Sequence, residues 1–295
     1  MQVSPLRPQK ARTSVEMTML WLCEMTMLWL CEMAFGGVSL STVRVEDDGV
    51  VRTVTLNRPE RRNALTPEVM EELVAAFSDA NSCGARVVVL AGEGEAFCSG
   101  LDLAVLREMG SMSVEQHRIE AERVARMFRA LWEVDVPTIA VVQGPAIAGG
   151  TGLATMCDFT LAAPDAKFGY TEVRIGFIPA LVSAYLAVQV GDKVARGLLL
   201  SSRFFGAEEA LRLGLVSEVV AAAELRTRAA ALIAELIRNS PESLRATKRL
   251  MRAQRAEWLD AALALAMDAN AASRLTADFR EGAASFVEKR PPVWQ

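Results

Sequence analysis

The chain has 295 residues, 52% of them hydrophobic and 23% charged, with a formal charge of −4. The apolar content excludes disorder as the main state, and the acidic balance excludes a protein built mainly to grip nucleic acid. A single histidine, His117, excludes a multi-histidine metal centre and leaves little room for a Ser-His or Cys-His nucleophile. Five cysteines at irregular spacing read as a reduced, cytoplasmic chain with buried thiols, not as a disulfide framework.

In chain order, a direct repeat comes first. The octapeptide Glu16–Cys23 recurs as Glu24–Cys31, and methionine and tryptophan cluster there. Glu24 and Glu32 interrupt a membrane span, and no small-residue cleavage site supports a targeting peptide. Residues 1–39 are therefore read as an atypical extension, disordered and outside the fold, with Met33 as an alternative start.

Strands are expected at Thr42–Glu46 and Val50–Leu56, joined by the hairpin signal Asp47-Asp48-Gly49. Pro67–Asn81 reads as a helix capped by Thr66, with Val69, Leu73, Ala76 and Phe77 on one face. Arg86–Ala91 is a buried strand, Val114–Trp132 a long helix with His117 at its surface or an interface, and Thr138–Gln143 a second buried strand. A glycine-opened helix at Gly149–Met156 and a strand at Phe159–Ala162 follow. After Pro179 helices dominate: Ala180–Val190, Lys193–Leu200, Ala207–Arg212, Ala221–Arg238, Pro241 to about Arg255, and an apolar periodicity from Trp258 to Met267. Alternation of strands and helices argues an α/β layered core, and the helical tail a packing or oligomerisation element.

Several motifs fail on inspection. Gly144–Thr151 follows a strand like a phosphate loop but has Gly150 where that loop needs lysine. Gly92-Glu93-Gly94 lacks the third glycine of a dinucleotide fingerprint. Phe97-Cys98-Ser99-Gly100 lacks the first glycine of a nucleophile elbow, and Cys98 reads as a structural thiol. Two glycine-containing loops survive, Phe97–Leu103 and Gly144–Gly150, each after a strand. Such loops can be tight turns only, or they can converge two backbone N–H groups on an oxyanion.

In this order the segments resemble the enoyl-CoA hydratase/isomerase (crotonase) family over roughly residues 43–290. Asn57-Arg58-Pro59 with Asn63-Ala64-Leu65, the loop Phe97–Leu103, Val142–Asp158, Phe168–Glu172 with Gly176–Pro179, Ala207–Ala210 with Gly214–Val216, and Phe286–Arg290 carry the resemblance. It implies an α/β, crotonase-type spiral of ββα repeats over 40–235 and an all-helical trimerisation region over 236–295, assembled as a homotrimer or homohexamer. It implies an acyl-CoA thioester as substrate, coenzyme A being part of that substrate, with no other cofactor, no metal, no nucleic acid and no membrane.

By motif position the resemblance places the thioester oxygen between the backbone N–H groups of Leu101 and Gly149, flanked by Ser99, Gly100, Asp102, Gly150 and Gly152. Arg61, Arg62 and Ala64 match the stretch lining the coenzyme A pocket, and Phe286 and Lys289 match positions that reach its nucleotide. The family's hydratases use two glutamates. The second matches Glu172, and the position of the first is Gly152. Three activities follow: a hydratase using Glu172 alone or with Glu115, Glu120 or Glu122; a double-bond isomerase using Glu172 alone; or an inactive acyl-CoA-binding protein. The text around Gly152 and Glu172 resembles the branch with methylglutaconyl-CoA-type hydratases. Phe177, Ile178, Leu181 and Val182 sit at helical spacing that favours core packing over an acyl pocket.

Overall fold

The computed structural model describes residues 42–294, so the expectations for the repeat-bearing head lie outside the described residues. The first hairpin forms, with its turn later than read: β1 (Val43–Asp48) takes in Asp47 and Asp48 and pairs antiparallel with β2 (Val51–Leu56) across Gly49-Val50. Helix α1 (Pro67–Asp79) starts at Thr66, whose hydroxyl accepts the Val69 N–H at 3.3 Å. Then come β3 (Val87–Gly92), α2 (Leu103–Met109), α3 (Val114–Trp132), β4 (Thr138–Val142), β5 (Ala146–Ile147), α4 (Gly149–Met156), β6 (Phe159–Ala162) and β7 (Lys167–Gly169).

Six strands form the main sheet in the order β1-β2-β3-β4-β6-β9, where β9 is Glu218–Val219. All pairings after the hairpin are parallel, with Val88 opposite Thr138 and Ile139 opposite Phe159. A small second sheet joins β5, β7 and β8 (Phe205–Gly206).

Nearly unbroken apolar text makes β3 and β4 buried on both faces, as parallel strands under helices are. Val88, Leu90, Ala140 and Val142 face a core shared with Leu73 and Phe77 of α1 and Met127 and Leu131 of α3. The alternate residues Val87, Val89, Ile139 and Val141 face Leu225, Ala229, Leu232 and Leu236 of α7 (Leu225–Ile237).

Beyond the sheet, α5 (Ala180–Ser201) is two helical arms meeting at Gly191, where φ is 75°. The break falls between the two helices read from sequence. Short α6 (Ala207–Arg212) precedes β9, and α8 (Pro241–Ala253), α9 (Ala256–Ser273) and α10 (Ala277–Glu288) follow α7. Helix α9 packs on α3 and α5, and α10 on α2. The α/β class is as expected. Cys98 and Cys157 are buried free thiols, whereas Cys83 is exposed, contrary to the uniform burial expected. No helix among the described residues is long and apolar enough to cross a membrane.

Candidate active site

The two surviving loops leave the carboxyl ends of the neighbouring parallel strands β3 and β4, where α/β sheets hold ligands. They are stitched together. The Phe97 N–H donates to Pro145 O at 3.0 Å, and the Ile147 N–H to Cys98 O at 2.8 Å. Their contact depends on glycine. A Cβ on Gly150 would stand 2.4 Å from Cys98 O, and one on Gly100 (φ 85°) would stand 3.0 Å from Ile147 O. On its other side the first loop is held by Leu65, whose N–H donates to Gly100 O and whose carbonyl accepts the Asp102 N–H.

This stitching spends most amides around the loops. The Ala148 N–H goes to Gly169 O at 2.7 Å, and that of Gly152 to Ala148 O. The N–H groups of Leu101 and Gly149 find no acceptor among the described residues. Gly149 is the first residue of α4, so its N–H belongs to the positive end of a helix. Ala148 before it holds φ 50° and ψ −118°, an unusual conformation for a residue with a Cβ.

Glu172 opens a turn of 3-10 helix, Glu172–Ile175, just after β7. Its carbonyl accepts the Phe177 N–H at 3.1 Å, which closes the turn. Helix α10 lies directly on this turn: a Cβ on Gly282 would stand 2.3 Å from the Ile175 carbonyl. The Glu172 side chain is 9% exposed, and its Oε2 has no hydrogen-bond partner. Burial pushes its carboxyl up to about 7, opposed only by its own backbone N–H.

Leu101, Gly149 and Glu172 line one cavity of about 340 Å³, together with Ser99 and Phe286. Phe177, Ile178, Leu181 and Val182 line it too, while Leu181 and Val182 also pack in the main core, so the favoured core role and the pocket role hold together. These apolar walls explain the desolvation of Glu172. Among the described residues that line the cavity, Glu172 is the one carboxylate.

The remaining predicted residues stand outside the lining. Gly100 and Gly150 set the loop contact. Asp102 caps α2 by accepting the Ala104 N–H at 2.9 Å and pairs with Arg58 at 3.2 Å. The Ala64 carbonyl accepts from Arg58 Nη1, and the Arg62 carbonyl from the Ser99 N–H. Arg61, Arg62 and Lys289 are exposed. Glu115 and Glu122 are exposed off the cavity, while Glu120 is buried and bonded to Arg123. His117 is 2% exposed, which corrects its surface reading, because α3 buries that face within the chain. Arg274 and Asn270, which also line the cavity, were missed. A lone arginine ending a helical tail resembles any solvated charge in sequence.

The fold and this cavity define an α/β protein with a largely apolar cavity lined by two residues whose backbone N–H groups are unspent and by one buried carboxylate. A family model described as enoyl-CoA hydratase/isomerase matches residues 46–295, and the chain belongs to that family. It is 44% identical over 251 residues to a Thermus thermophilus protein provisionally named an enoyl-CoA hydratase, covering 85% of this chain and 99% of that one. It is 32% identical over 256 residues to the short-chain-enoyl-CoA hydratase of Clostridium acetobutylicum, covering 86% and 97%. Among solved structures, an enoyl-CoA hydratase from Mycobacterium avium superposes with a TM-score of 0.76 at 33% identity, covering 87% of this chain and 100% of that one.

Proposed function

We propose that this protein hydrates, or in reverse dehydrates, a 2-enoyl-CoA through an enolate held by the Leu101 and Gly149 N–H groups. The observation that carries the reading is the buried carboxylate of Glu172, the one carboxylate among the described lining residues, in the same cavity as two amides without acceptors among the described residues. Donors aimed at a developing oxyanion are each worth roughly 3–4 kcal/mol in the transition state. Water attacks the β-carbon as Glu172 takes its proton. The same carboxyl then delivers a proton to the α-carbon, and the enolate collapses to the thioester. A group titrating near 7 can serve in both states at neutral pH. Coenzyme A arrives as part of the substrate, with Arg61 and Arg62 free to meet its phosphates, and with Phe286 and Lys289 near its nucleotide. No separate cofactor is invoked.

We further place the chain in the spiral architecture of its family, as a cytoplasmic homotrimer or homohexamer. The exposed Leu250, Met251, Trp258 and Leu265 on the tail helices support assembly. The sequence around Gly152 and Glu172 supports the branch of methylglutaconyl-CoA-type hydratases. The second reading is a double-bond isomerase, favoured by the lack of any acid at Gly152. Incubation with crotonyl-CoA, 3-methylglutaconyl-CoA and a 3-enoyl-CoA in heavy-oxygen water separates them. Heavy oxygen in the product supports hydration, and a shifted double bond without it supports isomerisation. Tight binding without turnover leaves an acyl-CoA-binding protein.

A further inference from the structure

Arg274 sits at the C-terminal cap of α9 and is 3% exposed. Its Nη2 donates to Asn270 Oδ1 at 2.8 Å, and its guanidinium carbon lies 5.3 Å from the Phe177 ring centroid. Its Nε and Nη1 are buried with no acceptor among the described residues. Glu120 acts on it through space without an ion pair, and Glu120 Oε1 is taken by Arg123. Burial pulls the guanidinium down to about 10, so it remains charged at neutral pH. A buried charge without a partner costs several kcal/mol. The helix C-terminus and the Phe177 ring offset part of that. The Asn270 amide adds a second donor, because its oxygen is spent on Arg274 and its NH2 group has no acceptor among the described residues. Both residues line the cavity that holds Glu172.

The placement is graded along α3. Phe128, Val124 and Glu120 follow one another at four-residue spacing on one face. Phe128 stands against Gly149, at 4.0 Å from a Cβ built there. Val124 lines the cavity, and Glu120 is within electrostatic reach of Arg274. The wall thus turns from apolar beside Gly149 to polar about 12 Å further along the helix.

We propose that Arg274 and Asn270 form a carboxylate-binding subsite at the far end of the acyl cavity, so that the preferred substrates are acyl-CoA thioesters whose acyl chain ends in a second carboxylate. This rests on the acyl-CoA reading above. The Nε–H and Nη1–H groups left without acceptors can each donate to a carboxylate oxygen, and the Asn270 NH2 group supplies a further donor. A methyl-ended chain leaves those donors unmet, which costs affinity.

The test is calorimetric titration with saturated thioesters of equal length, adipyl-CoA and hexanoyl-CoA, which bind without undergoing hydration. Wild type is expected to bind adipyl-CoA at least about tenfold more tightly, the advantage of charge-assisted hydrogen bonds. In Arg274→Met the ratio falls to about one, and in Arg274→Lys it lies between. Asn270→Leu, which also narrows the ratio, serves if the Met variant does not fold. Equal affinities in wild type, or a preference that survives Arg274→Met, overturn the subsite. Failure of both thioesters to bind overturns it together with the acyl-CoA reading. Binding of both without turnover of any enoyl-CoA sinks the hydratase reading alone.

Discussion

Gly152 lies directly behind Phe128. A Cβ at position 152 would stand 2.9 Å from Phe128 Cε1 and 2.8 Å from Val182 Cγ1. Both neighbours line the cavity, so the place of an acid in the family's two-glutamate pattern is walled off by apolar side chains. Gly152→Glu therefore does not install a second acid. It lowers unfolding free energy by about 1–3 kcal/mol, as overpacking does, without raising the hydration rate. Pairing it with Phe128→Ala recovers part of that loss in urea denaturation.

Glu172→Gln removes the only carboxylate among the described residues that line the cavity, and is expected to cut turnover by roughly 10²–10⁴-fold while leaving coenzyme A affinity nearly unchanged. Single-turnover kinetics and equilibrium binding check the two halves. Retained turnover in this variant sinks the role assigned to Glu172.

The same carboxyl gives opposite signs for activity and stability. Its folded value of about 7 lies above the ordinary glutamate value of 4.5. The proton-accepting form appears only as pH rises through about 7, so kcat/KM for hydration climbs across that range and then levels. Between 4.5 and 7 the folded chain keeps a proton that the unfolded chain has lost, so folding stability falls as pH rises through this window. The full difference corresponds to about 3 kcal/mol. Glu172→Gln is accordingly more stable than wild type at pH 8 and similar to it at pH 4, as read by thermal or urea denaturation.

Gly150→Ala puts a methyl group 2.4 Å from Cys98 O and forces the two loops apart. The proposed thioester site depends on that spacing. Loss of one oxyanion donor costs roughly 10²–10³-fold in kcat. A larger fall in kcat than change in KM is the expected pattern.

Asp102→Ala frees the start of α2 and strands Arg58, whose side chain is 18% exposed. The expected loss is about 3 kcal/mol, the scale for breaking a largely buried ion pair. Arg58→Met in the same chain recovers part of it, and a double-mutant cycle in urea measures the coupling.

The parts of the fold that read clearly from sequence have strong local signals. The β-branched runs gave β3 and β4, and Thr66-Pro67 gave the start of α1. Two- and three-residue strands such as β5, β7 and β8 carry too little text for any periodicity. Helix α2 was missed because Asp102, its cap, was read as part of a substrate loop. Motif text singled out Glu172, Leu101 and Gly149, which the fold brings to one cavity. The cavity-lining role of Leu181 and Val182 was not legible, because a helix face that packs and one that binds an acyl chain have the same spacing. His117 and Arg274 depend on tertiary burial, which no local window encodes.

The parallel ladder between β3 and β4 has a kinetic consequence. Val88 pairs with Thr138, fifty residues later, and both site loops spring from these two strands. Such pairing closes a long loop before any contact repays it, so it forms slowly, whereas the β1–β2 hairpin closes locally. A slip of one residue would turn Val87 and Val89 into the wrong core layer. On refolding from urea, recovery of acyl-CoA binding therefore follows the slow locking of this central register, well after most helices have formed.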